Sequence, residues 1–212
     1  MGIIKKGILG GFSGKVGNVV GSSWKGIAYM RSLPTKFKDP RSELQLIQRS
    51  KFAVTITFLQ PMTELLRTGW KFYSNRKSPF NAAMAYTIAK AVTGAYPDYS
   101  INPAKVLISR GSLASPVNAA ATAASGAINF QWDDNSGSAS ARQTDKALLA
   151  VLNPAKGDAV LFTAGAARSD TAQSVTIPAD WSGDSVEAYL GFISQDGREI
   201  ANSVYLGSLT AA

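Results

Sequence analysis

Apolar positions follow two periods along the chain. Between residues 39 and 94 they recur at three- and four-residue intervals, the spacing of one helix face. Asp39-Pro40 reads as an N-cap with proline at the first helical position. The run RSELQLIQRSKFAVTITFL then brings Leu44, Ile47, Lys51, Phe52, Val54, Thr55 and Phe58 near one side. Gln60-Pro61 restarts or kinks that helix. MTELLRTGWKFY places Met62, Leu65, Leu66, Gly69, Trp70 and Tyr73 together. Ser78-Pro79 is a second cap, FNAAMAYTIAKAV follows, and Gly94 is the expected C′ glycine.

After residue 95 the pattern shortens. KVLIS reads as a single strand between turns. The small-residue stretch 113–126 is a linker or the start of a strand. From residue 127 onward AINFQW, KALLAVLN, DAVLFTA, AQSVTIP, SVEAYLGFIS and EIANSVYLGSL are strand-like blocks parted by turn residues. Six or seven short strands at this spacing predict an antiparallel β-sandwich of the immunoglobulin or fibronectin type III class. Its core would draw on Phe130, Trp132, Leu149, Val151, Val160, Phe162, Val175, Ile177, Tyr189, Leu190, Phe192, Val204 and Leu206. The fold class is therefore α+β, in three segments. Residues 1–38 form a glycine-rich basic arm or hairpin, 39–112 a helical unit with a connecting strand, and 113–212 the sandwich.

The opening segment fits neither period cleanly. Gly7, Gly10, Gly11, Gly14, Gly17, Gly21 and Gly26 punctuate it. In a helix each would cost about 1 kcal/mol relative to Ala. VVGSSWKGIAYMRSL reads better as two strands around a Lys25-Gly26 turn, with Pro34 ending any ladder. The residues expected to carry self-assembly are Phe12, Val16, Val20, Gly21, Trp24, Gly26 and Tyr29. Trp24 is the expected anchor, buried in a neighbouring subunit or against the helical segment.

Charge sharpens that picture. The chain of 212 residues carries a net +8. Residues 1–80 hold +11 of it, and residues 81–212 hold −3. Such an asymmetry suits an anionic partner for the first part, or attraction between copies of the chain. The candidate anion contacts are Lys15, Lys25, Arg31, Lys36, Lys38 and Arg41, interleaved with aromatic residues. Lysine and arginine meet phosphate, and aromatic rings stack on bases.

Candidate chemistry is sparse. There is no histidine and no cysteine. Imidazole or thiolate metal ligation and Ser–His–Asp or Cys–His catalysis are thereby excluded. DDNSGS at 133–138 lacks the later glutamate of a calcium loop and reads as a turn. GGFSGKVG lacks the spacing of a phosphate-binding loop. TDKALL at 144–149 reads as a polar turn entering a buried strand. No catalytic residue, cofactor or metal is expected, and no small-molecule substrate is evident. No secretory signal and no apolar run of membrane-span length stand in the sequence, so the expectation is cytoplasmic residence, or incorporation in a phage-like particle.

The motifs GILGGFSGKVGNVVGSSWKG, YMRSLP, FNAAMAY, GAYPDYSI, VLISRGSL, WDDNSG and GFISQDGREIANSVYLG resemble those of a large bacterial family classed only as a domain of unknown function. The resemblance spans essentially the whole chain. It implies that the three segments belong together, and it brings no site residues with it. The functional expectation is a structural, self-associating protein that builds a filament, sheath or phage-derived particle through its N-terminal arm. The alternative is a nucleic-acid-binding protein using the basic first 80 residues.

Overall fold

A computed structural model describes residues 2–4, 7, 10–24, 26–33, 39, 41–138 and 140–212. The chain divides into two compact units, Met1–Ser42 and Glu43–Ala212. The boundary expected at residue 113 falls inside the second.

The first unit is an antiparallel sheet in sequence order: β1 (Ile3–Ile4), β2 (Phe12–Val16), β3 (Val19–Trp24) and β4 (Ile27–Ser32). Val16 pairs with Val19, and Trp24 with Ile27, so both hairpins turn on two residues. Such turns need left-handed backbone. Gly17 at φ 56° and Gly26 at φ 82° supply it. The Lys25-Gly26 turn read from the sequence is therefore present at Gly26. Lys25 and Pro34 lie outside the described residues.

The second unit begins with α1 (Glu43–Leu59), which passes through a 3-10 turn at Gln60–Met62 into α2 (Thr63–Gly69). Pro61 is the second residue of that turn, where its missing N–H is tolerated. The helix starts at Glu43 rather than at the Asp39-Pro40 cap. Arg41, at φ 44°, is outside the helical region. Leu44 and Phe52 point to solvent, whereas Thr55 and Leu59 are buried. Ile47, Lys51, Val54 and Phe58 are partly buried as expected, so the stripe departs from the expected one only at Leu44 and Phe52. α3 (Pro79–Lys90) has its expected cap, Ser78 accepting a hydrogen bond from the Asn81 amide at 3.1 Å.

A hairpin follows, β5 (Val92–Ala95) with β6 (Asp98–Ile101). Gly94 belongs to this hairpin and does not cap the helix. KVLIS is not a strand. It is an irregular, deeply buried connector, with Val106 and Ile108 in the core. Its polar groups are met by distant partners, as buried backbone requires. Ser203 Oγ accepts the Ile108 amide at 2.9 Å, and Ser109 Oγ donates to the Ala201 carbonyl at 2.9 Å.

The remaining strands are β7 (Val117–Ala124), β8 (Ala127–Asp133), β9 (Lys146–Asn153), β10 (Asp158–Phe162), β11 (Ala172–Thr176), β12 (Ser185–Ile193) and β13 (Val204–Thr210). They form two antiparallel sheets, ordered β11-β8-β7 and β10-β9-β12-β13. One core lies between the sheets, around Phe130, Trp132, Leu149, Val151, Val175, Leu190 and Phe192. A second core lies on the other face of the four-stranded sheet. There Leu148, Ala150, Leu152 and Tyr189 meet Leu59, Met62, Leu65, Leu66 and Trp70. Tyr189, expected between the sheets, faces the helices instead. β9 and β12 are covered on both faces, which explains their unbroken apolar reading.

One end of the sandwich is fastened by a buried ion pair. Arg168 and Asp145 are both fully buried, with Nε 3.1 Å from Oδ2. The guanidinium also donates to Asn135 Oδ1 and to the Ala114 carbonyl, and it lies 3.9 Å from the centre of the Phe192 ring.

Candidate functional site

The N-terminal sheet is the part of the molecule whose side chains have least to do with a core. Among its described residues only Gly21 is buried. A unit of this size rarely folds on its own apolar burial. Its large apolar side chains are nevertheless numerous. Met30 is 71% exposed and Trp24 57% exposed.

The strand register sorts these side chains onto two faces. Residues paired across antiparallel strands point to the same side, and alternate residues within a strand point to opposite sides. Gly14 pairs with Gly21, and Gly21 with Met30. Ile4 pairs with Phe12, and Val16 with Val19. Among the described residues one face therefore presents Ile4, Phe12, Val16, Val19 and Met30, with no charged residue. Gly14 and Gly21 flatten it. At Gly21 a Cβ would run into the Phe12 carbonyl and ring. The glycine lets that ring lie across the strand.

The other face is different. Lys15 pairs with Val20, and Val20 with Arg31, so the two cations share one row. Trp24 and Tyr29 lie on the same side, at Val20+4 and Arg31−2. Cations and aromatic rings are thus gathered on one surface.

The sites read from the sequence divide accordingly. Phe12, Val16 and Gly21 lie on the uncharged face. Val20, Trp24 and Tyr29 lie on the basic face with Lys15 and Arg31. Gly26 shapes the turn. Lys25, Lys36 and Lys38 fall outside the described residues. Arg41 stands apart, exposed and 3.6 Å from Asp39. Ile4, Val19 and Met30 stand outside the residues that the sequence reading assigns to self-assembly. The period-two alternation of the strands is the signal that finds them.

The minor candidates resolve as structure. Residues 12–16 of GGFSGKVG form β2, with no helix following to receive a phosphate. In the 133–138 turn, Asp134 accepts the Ser136 amide at 2.9 Å, and these Ser136 hydrogen bonds hold its carboxyl below the usual range. Asn135 is engaged by Arg168 and Asp133 by Asn118. Asp145 of TDKALL is the partner of Arg168. Among the described residues no cluster of three carboxylates could hold a metal ion. No helix among them is long and apolar enough to cross a membrane.

A family model described as a family of unknown function (DUF6266) matches residues 11–207. Comparison with curated proteins finds no match.

Proposed function

The chain belongs to that family of unknown function, and on this premise we propose that it is a structural protein that associates with copies of itself through its N-terminal sheet. The single observation that carries the reading is the uncharged face of Ile4, Phe12, Val16, Val19 and Met30, set on a unit in which Gly21 alone is buried among the described residues. Exposed apolar patches of this kind mark contact surfaces. A second surface is available. Among the described residues β4 pairs only with β3, so its outer edge is free to accept a strand. Two different contact surfaces on each copy favour open assemblies, a filament, sheath or phage-derived particle, unless the contacts close.

In this reading the second unit is the subunit body, with a sandwich of immunoglobulin or fibronectin III type. The sheet orders support that type: first, second and fifth strands in one sheet, third, fourth, sixth and seventh in the other. The protein is read as a non-enzyme of the cytoplasm or of a phage-like particle.

A second reading has its own observation. Lys15, Arg31, Trp24 and Tyr29 on one face suit single-stranded nucleic acid, with cations for phosphate and rings for bases. The two faces are opposite, so the readings are separable. Removal of residues 1–42 gives the first test, because the second unit holds both cores. Sedimentation velocity should show concentration-dependent association of the full chain, and a folded, monomeric 43–212. A full chain that stays monomeric, or a truncated one that still associates, refutes the proposal.

A further inference from the structure

The second unit contains an apolar groove with one carboxylate among its described lining residues. Ala53, Val54 and Phe58 of α1 line one side, and Ile101, Pro103 and Leu152 contribute to the rest. The cavity is about 530 Å³, within the range of small-ligand sites. Among the described residues Glu187 is the only ionisable side chain in its lining. It stands on β12 opposite Leu152 of β9, on the side of the sheet that faces the helices.

Glu187 is 8% exposed. Its Oε2 accepts the Tyr205 hydroxyl at 2.5 Å. Among the described residues no cation pairs with it. Lys156, in the β9–β10 turn beside the groove, is held by Asp180 and Asp184. The hydroxyl of Tyr189 is turned to the Pro103 carbonyl at 3.0 Å. Buried carboxylates are ordinarily paired with a cation or richly hydrogen-bonded. This one has a single hydroxyl donor and an apolar channel in front of it.

We infer that the groove binds an amphiphilic primary ammonium ion. The ammonium head meets Glu187, and the alkyl chain lies along Ala53, Val54, Phe58 and Ile101. A compact ammonium fits better than a guanidinium. Tyr205 already occupies one acceptor site of Oε2, so a single-point ammonium asks less of the carboxylate than a two-oxygen guanidinium fork. An alkyl carboxylate would be repelled by Glu187. The site lies wholly within residues 43–212 and does not depend on the self-association reading.

The test is calorimetric titration of the full chain with n-octylammonium, n-octanol and n-octanoate at neutral pH, below their aggregation thresholds. Octylammonium should bind saturably, one per chain. Octanol should bind about tenfold more weakly, and octanoate should not bind. Glu187→Gln keeps an acceptor for Tyr205 and should lower octylammonium affinity about tenfold, to the level of octanol. Ala53→Trp, at an exposed helix position on the groove wall, should block both. If Glu187→Gln fails to fold, the ammonium-to-alcohol ratio in the unmutated chain and the Ala53→Trp result decide. Equal binding of ammonium and alcohol, an unchanged ratio in Glu187→Gln, or no saturable binding overturns the inference.

Discussion

Replacing Arg168 with methionine is expected to lower the stability of the second unit by about 3–5 kcal/mol, the cost of breaking a buried ion pair by removing one partner. Burial works against the charge of Arg168, and Asp145 offsets part of that loss. Without the guanidinium, Asp145 is left as a buried carboxylate whose Oδ1 already lacks a hydrogen-bond partner in the structure. Asn135 Oδ1 and the Ala114 carbonyl lose a donor at the same time. The stacking on Phe192 goes as well. Adding Asp145→Asn should recover part of the deficit, because the stranded charge is removed. Urea denaturation of the two single variants and the double variant measures this directly. A double variant that loses the full sum of the singles would show that the pair is not coupled.

Gly21→Val is the second large effect. Valine at this position drives two methyl groups toward the Phe12 ring and carbonyl. Overpacking of this kind commonly costs about 1–3 kcal/mol. In a well-packed domain that is tolerable. In a sheet whose only buried described residue is Gly21, it is expected to open the β2–β3 hairpin and abolish self-association, while the second unit keeps its stability. Hydrogen exchange of residues 12–32, measured beside the unfolding midpoint of the second unit, reads both. Unchanged protection in the N-terminal sheet would contradict the packing described here.

Much of this architecture was legible in the chain. The alternation of β8, the unbroken apolar runs of β9 and β12 and the turn residues between them mark the strands closely, because β8 turns one face to the space between the sheets while β9 and β12 are covered on both faces. Ser78-Pro79 marked α3 by local chemistry alone. What was hidden depends on residues distant in sequence. KVLIS has a strand's composition, but its hydrogen bonds go to Ala201 and Ser203, so it is a connector. The sequence places Tyr189 between the sheets, whereas it faces the helices, because β12 has two buried faces. Asp145 looked like a turn residue, since its partner Arg168 lies 23 residues away. Glu187 gave no local signal at all. In the candidate site, the glycines and Trp24 drew notice by composition. The division of that segment into an uncharged face and a basic face emerged only from the register.

That division makes the self-association account testable at two adjacent residues. Met30 and Arg31 are neighbours on β4 and point to opposite faces. Met30→Glu places a charge on the uncharged face. Arg31→Glu makes the larger charge change, on the basic face. Sedimentation velocity of both variants, at matched concentration and at low and high salt, is the direct measurement. The account predicts that Met30→Glu is monomeric at both salt concentrations, and that Arg31→Glu associates as the unmutated chain does. Association that survives Met30→Glu but is lost in Arg31→Glu would contradict it, and would assign the contact to the face of Lys15, Trp24 and Tyr29.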